Sequence, residues 1–513
     1  MATAETLDRR PDETASGLEA WEERDLPDPP RPKGLQWLGV VGPGVIVLGA
    51  AIGSGEFLLG PAAFVQYGLV ILWITGVATI LQTVYNQELM RYTMYTGEPA
   101  FTGFMRTKPS STFWAWVYSI FYFLQTGIPG WAAAAAGAVF FLFAGRIAED
   151  SEQNTTYFIA VAAYALCVLI VLLGKKIERT LEVLNWAMVV VILLAFLVIV
   201  LLLTSPATWL RAVLGYVGYD PDVGFNPIPP GMDPFLLGAV AGYAAAGGVV
   251  NLSLSNWARD KGYGMASIAG YIPAMIGGEE VHLAHTGYTF DPKKAGNMER
   301  WRGWWRIITA DQWGVFFIGA ILGMALPAII YVTFIPSGES LESLGVAAAL
   351  ANAMRTEVGP VVGIIVAIMA AWLLFKTQLD ILEGTVRGLT DILWTGNKRL
   401  RDAGDVRKVY YAVLAVMIVA GLIILRLPQP LALVALSANM AGVVFVVSSL
   451  HLLRINTKYL PEEIRPGPLR RFSLAAMALF YGVFVWLFLL GGFPVDTERG
   501  FLFNFVELMT KTE

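Results

Sequence analysis

Ala50-Ala51-Ile52-Gly53-Ser54-Gly55-Glu56-Phe57-Leu58-Leu59, residues 50–59, decides the fold of this chain. It lies inside an apolar stretch, 36–66, that is long enough to cross a bilayer. Backbone groups at mid-membrane depth must be satisfied internally. A glycine cluster there marks a helix that opens against protein or a water-filled cavity. Close packing through small residues accounts for glycines, but packing does not require the carboxylate of Glu56. An ionisable group at that depth is costly and faces a cavity or a partner by default. A carboxylate also suits a helix N-terminus, so Glu56 could cap the outer half-helix, and the two roles are compatible.

The rest of the chain fits that reading. Of its 513 residues, 56% are hydrophobic and 15% charged, against about 25% charged in ordinary soluble proteins. The net charge of −4 is too small to imply nucleic acid as a partner, whereas membrane lipids are implied. One cysteine, Cys167, excludes an intramolecular disulfide or a cysteine metal cluster. Apolar stretches of spanning length run over 36–66, 69–92, 112–144, 156–174, 181–203, 233–258, 309–335, 358–394, 409–427, 429–453 and 470–492. The predicted class is an all-α integral membrane protein with about eleven transmembrane helices, its termini on opposite sides.

With the N-terminus cytoplasmic, the inside loops carry most of the Lys and Arg, among them Arg91, Lys176, Arg259, Arg300, Arg399 and Arg454. The outside loops then carry only Arg146, Arg211, Arg355 and Arg426. That bias favours this orientation, in a bacterial-type cytoplasmic (inner) membrane. Residues 1–33, acidic and Pro-rich, read as a disordered cytoplasmic tail. Residues 34–493 read as the transmembrane domain and 494–513 as an extracytoplasmic C-terminal tail. The stretch 260–307 reads as a cytoplasmic connection whose basic, Trp-rich part, 291–306, lies at the interface; a re-entrant hairpin is the alternative.

A second break falls five spans after the first. Span 6 carries Gly242 and Gly247-Gly248, followed by Asn251, Ser253, Ser255 and Asn256. Paired broken helices, one in each half, point to a binding site at the midplane of a secondary transporter. The predicted substrate-binding set is therefore Gly53, Ser54, Gly55, Glu56, Gly247, Gly248, Asn251 and Asn439, with Gly53 and Gly248 near one central cavity. Span 8 adds Lys376, Gln378, Asp380 and Glu383 as coupling or gating residues. The charged members and Arg387 are spaced i,i+3 or i,i+4, near one helix face. Glu383 and Arg387 also read as a neutralised ladder closing the cytoplasmic end, while Lys376 lies deep enough to approach the first break. Glu88, Arg91 and His451 read as structural, and His282 and His285 as an interfacial pair.

Several of these residues resemble the Nramp (natural resistance-associated macrophage protein) family of divalent-metal transporters. That family belongs to the amino-acid/polyamine/organocation superfamily. The match runs through Gly42-Pro43-Gly44 and the four-residue break, Leu81-Gln82, Arg91, Thr96-Gly97, Asn251-Leu252, Gln378 and Gly384-Thr385. The resemblance implies a LeuT-like 5+5 inverted repeat with helices 1 and 6 broken. It also implies metal binding at the first break, where family members carry Asp-Pro-Gly-Asn. Here Gly53, Ser54, Gly55 and Glu56 stand there, and Gly248-Val249-Val250-Asn251 replaces the family's Met-Pro-His-Asn. The family's acidic residues in helix 3 align with Leu124, Trp131 and Ala134.

Three functions stay open. The first is an Nramp-like secondary transporter moving a cation by alternating access, such as Mg²⁺ or Mn²⁺, with Glu56 as the metal ligand beside backbone oxygens. The second is a small organic-solute transporter on the same scaffold without a metal site. The third is a receptor that kept the fold and lost transport. The sequence holds no nucleophile–base set and no nucleotide loop, so no enzyme and no cofactor is expected.

Overall fold

The computed structural model describes residues 16–173, 177–269, 287–339, 341, 345–402, 405–427 and 430–491. Among them eleven helices are long and apolar enough to cross a membrane. They are α1 (Pro43–Tyr67), α2 (Leu69–Thr96), α3 (Ser111–Ala144), α4 (Gln153–Leu172), α5 (Asn185–Leu203), α6 (Pro234–Asp260), α7 (Asn297–Phe334), α8 (Pro360–Gly396), α9 (Val406–Ile424), α10 (Leu431–Lys458) and α11 (Pro468–Leu489). The most apolar windows of α1 and α6 are 100% buried within the protein, against 28% for α5, α9 and α11. So α1 and α6 stand at the centre, and the outer helices turn large apolar side chains such as Phe143, Leu202 and Leu479 outward. That outward surface is what lipid would cover. The chain is an integral membrane protein.

Both expected breaks are present. In α1, regular helix over Pro43–Ile52 ends before Ser54 (φ −106°, ψ −88°), a wide turn covers Gly55–Leu59, and helix resumes over Gly60–Tyr67. In α6, helix over Pro234–Tyr243 stops at Ala244, and a second helix runs Gly248–Asp260. Between the halves of α6, Ala245 (φ 71°), Gly247 (φ 145°) and Gly248 (φ 46°) have positive φ, a region that glycine enters without the Cβ penalty. A third break, not expected from sequence, splits α3 into Ser111–Thr126 and Gly130–Ala144. Pro129 causes it, because it has no N–H and pushes Ile128 out of helical geometry.

Two expectations differ from the structure. The basic, Trp-rich segment is not separate from the seventh span: Asn297–Thr309 is helical and continues through a wide turn, Ala310–Phe317, into the rest of α7. Its Trp301 and Trp304 are buried in the protein. Residues 16–33, read as part of a disordered tail, lie along the molecule with Leu18, Trp21 and Leu26 buried. Glu22–Glu23 there pairs in parallel with Tyr288–Thr289. Apolar residues spaced among acidic ones supplied the burial that mean composition concealed. His282, His285 and the 494–513 tail lie outside the described residues.

Candidate substrate site at the breaks of α1 and α6

The first break is shaped by close approach. A Cβ on Gly53 would run into the Thr377 side chain of α8 and lie 3.2 Å from the Leu373 carbonyl oxygen. One on Gly55 would collide with the Tyr243 carbonyl at the end of the first half of α6. These glycines let α1 lie against α8 and α6 at the point where its own hydrogen bonding lapses. Ser54 is held in place: its Oγ donates to the Ala50 carbonyl at 3.0 Å and accepts the Trp131 indole N–H at 2.8 Å.

Glu56 is fully buried, and neither carboxylate oxygen has a hydrogen-bond partner. It faces α7, where a Cβ on Gly323 would lie 3.1 Å from its carboxyl carbon. Lys376 approaches a different part of α1, since a Cβ on Gly49 would lie 3.0 Å from its Nζ. Its ammonium donates to Asp380 of α8 and to Asn185 of α5, with all three side chains buried. Lys376 thus lies against the helix before the break, at Gly49, and not at Gly53–Glu56, where the sequence reading put it. Asp380, however, is engaged by Lys376 rather than placed beside Glu56. Among the described residues no group of three or more His, Cys, Asp or Glu is arranged to hold a metal ion.

The second break is closed by amide side chains. Asn251 Oδ1 accepts the Gly247 N–H at 2.7 Å, and Gln125 bridges the gap, donating to the Gly247 carbonyl at 3.0 Å and accepting the Val249 N–H at 2.9 Å. Asn251 Nδ2 in turn donates to Gln82 at 3.2 Å and Asn86 at 2.9 Å. These bonds satisfy backbone groups that a break in lipid would otherwise orphan. Sequence reading placed Asn251 in the substrate set; here its amide is committed to the break itself. Gly248 packs on Gln125 of α3 and on Ala441 of α10, with the Ala441 Cα 2.8 Å from where its Cβ would be. Gly53 and Gly248 therefore face different helices through filled space, rather than one shared cavity.

Two other expected site residues stand apart. Asn439 donates to the carbonyls of Phe235 and Ala435, both at 2.9 Å, and its amide packs against Gly238 in the first half of α6. That contact joins α6 to α10 away from the break. Gln378 Oε1 accepts the Ala132 N–H at 3.1 Å, satisfying a donor in the first turn of the second half of α3.

Glu383 pairs with Arg387 at 2.7 Å, and Arg387 reaches Asp260 at 3.6 Å. Arg259 pairs with Asp260 at 2.9 Å and with Asp391 at 3.2 Å, tying the end of α6 to the end of α8. Glu383 therefore belongs to a charge network that closes one end of the bundle. Glu88 is likewise held by Arg91 (2.8 Å), Arg470 (3.2 Å) and Asn456 (3.1 Å). His451 contacts Thr107 at 2.8 Å and Tyr118 at 3.1 Å.

The residue that sequence reading missed is Asp311, buried in the wide turn of α7. Its two oxygens accept the backbone N–H groups of Gly42 and Gly44, each at 2.9 Å, and Gln312 donates to it at 2.7 Å. A carboxylate suits the positive end of a helix, so Asp311 anchors the start of α1. The available signal was an aspartate inside the apolar stretch 309–335, the same signal that drew attention to Glu56.

No protein-family model matches this chain, and no curated protein matches its sequence. Solved structures do share its fold. A mutant of the manganese transporter of Eremococcus coleocola superposes with a TM-score of 0.65 over 93% of each chain, at 15% sequence identity. A second mutant of it gives 0.65 over 93% of each chain at 13% identity. The same transporter in complex with an aromatic bis-isothiourea substituted compound gives 0.59 over 91% of each chain at 15% identity. The fold is the LeuT-like 5+5 inverted repeat, α1–α5 and α6–α10, each set opening with a broken helix.

Proposed function

We propose that this protein is a secondary transporter working by alternating access, and that its cargo is a cation that neutralises Glu56. The observation that carries this reading is the Glu56 carboxylate, fully buried at the α1 break with both oxygens unpartnered. Leaving such a charge uncompensated inside a protein costs several kcal/mol. A cation arriving at the break would remove that cost. A divalent metal such as Mg²⁺ or Mn²⁺ is the first form of this proposal, made by analogy with the manganese transporter that shares the fold. It is supported by the residue resemblance to the Nramp family. Glu56 would be its metal ligand, with the backbone oxygen of Gly53 beside it, since the Ser54 carbonyl already accepts the N–H groups of Leu58 and Leu59. The N-terminus is placed on the cytoplasmic side of a bacterial-type inner membrane, on the distribution of Lys and Arg.

A small organic solute as cargo is the second reading, favoured by one observation. Lys376 engages Asp380, the carboxylate a divalent site would need beside Glu56. Uptake into proteoliposomes separates the two. Mn²⁺ or Mg²⁺ accumulation that depends on Glu56 supports the metal form. Metal-independent uptake of a small organic molecule replaces it with the second. Absence of any solute flux, with the protein folded and inserted, rejects transport.

A further inference from the structure

Residues 16–33 cross one end of the bundle and join the end of α2 to the start of α7. Trp21 is 8% exposed and sits edge-on to Tyr92, Tyr95 and Tyr459, with ring centroids 6.4, 6.3 and 6.1 Å away. Its indole N–H donates to Glu98 at 3.1 Å, and the Arg106 guanidinium lies over its ring at 5.1 Å. Arg106 is itself paired with Glu98 and donates to the Glu19 carbonyl at 2.7 Å. Further along, Leu26 is 1% exposed, and the Pro27 carbonyl accepts the Trp304 indole N–H at 2.9 Å. Pro29 packs on Gly303, and Asp28 pairs with Arg300 at 2.6 Å.

The first residues of this segment form one wall of a cavity of about 320 Å³. Leu18 and Glu19 face Glu98 and Thr102 after α2, and Arg259 and Asp391 at the ends of α6 and α8. The Arg259–Asp391 bridge lies at this same end. The cavity is therefore bounded by helices that an alternating-access cycle would separate, and the segment ties two of their neighbours together.

We propose that residues 16–33 are a strap that holds this vestibule closed, anchored by Trp21 at α2 and by Leu26 and Pro27 at α7. The vestibule opens only when the strap lifts. The buried anchors set its strength; the exposed Asp25–Lys294 and Asp28–Arg300 pairs are screened by solvent and add little.

The test reads accessibility rather than transport, so it stands or falls separately from the cargo assignment. The single native cysteine, Cys167, is buried and reports loosening of the whole fold. The reporter for the vestibule is Thr102→Cys in a full-length Cys167→Ala chain, labelled in nanodiscs with a membrane-impermeant maleimide. Adding Trp21→Ala and Leu26→Ala should raise its labelling rate on the order of tenfold, as the closed population falls. The same pair of substitutions should leave native Cys167 unlabelled. An unchanged reporter rate, or Cys167 becoming reactive in parallel, overturns the strap. A second arm covers partial unfolding. The Pro29 Cβ would lie 3.2 Å from a Cβ at 303, so Pro29→Cys with Gly303→Cys can be cross-linked by oxidation after a small adjustment. In a Leu26→Ala chain, where the anchor at α7 is the one weakened, that cross-link should return the reporter to its original rate. Failure to do so, with the cross-link formed, also overturns the proposal.

Discussion

Asp311 on α7 accepts the backbone N–H of Gly44 at 2.9 Å across 267 residues of sequence, and so fixes where α1 begins. With the matching bond to Gly42, it ties the helix that breaks at Gly53 to a wide turn in α7. Gly44 has to be glycine for this, because a Cβ there would lie 2.8 Å from the Asp311 carbonyl oxygen. The Gly42-Pro43-Gly44 motif is thus half of a joint whose other half sits in another repeat.

Removing that joint should destabilise the fold measurably. Hydrogen bonds to a charged group contribute about 1.5–3 kcal/mol each. Asp311→Ala removes two bonds to α1, so a loss of roughly 3 kcal/mol or more is expected. Asp311→Asn keeps one acceptor oxygen and should lose about half as much. Unfolding of the two variants in detergent, followed by tryptophan fluorescence, checks both the size and the order.

Glu56→Gln should abolish transport while leaving stability at or slightly above that of the parent. The amide keeps the shape of the side chain and removes the charge that has no partner in the closed protein. Uptake and melting measured on the same preparation test it. Full activity in the variant would take Glu56 out of the mechanism.

Lys376 and Asp380 should behave as a unit. Lys376→Met leaves a buried carboxylate without its ion-pair partner, at a cost of about 3–5 kcal/mol. Adding Asp380→Leu should recover most of that loss, because a buried ion pair replaced by apolar groups of similar size is often near neutral. A double-mutant cycle on melting free energies reads the coupling. If the double variant is as unstable as the sum of the two single ones, the pair is not coupled.

At the α1 break the two glycines should differ in tolerance. Gly53→Ala meets the side chain of Thr377, which Thr377→Ala partly clears, leaving a Cβ at 2.8 Å. Gly55→Ala meets the Tyr243 carbonyl, a backbone group that no substitution removes. Folded yield after size-exclusion chromatography should therefore be partly rescued for Gly53→Ala by Thr377→Ala. No side-chain change at Tyr243 should rescue Gly55→Ala.

The sequence by itself determined the membrane class, the eleven apolar helices and the two paired breaks. Hydropathy and glycine clustering act within one or two helical turns, so they are written locally. It also singled out Glu56, because an acid amid apolar residues stands out wherever the chain later puts it. The break in α3 was legible too, at Pro129, but the unbroken hydropathy of 112–144 masked it. What only the tertiary structure decided is which group answers which. Asp380 is engaged by Lys376, Asn251 and Gln125 close the α6 break, Asp311 anchors α1, and Trp21 rests on Glu98. Except for Lys376–Asp380 and Asn251–Gly247, these partners lie far apart along the chain. A lone polar residue in an apolar run announces that it needs a partner. Only packing of the helices determines which one it meets.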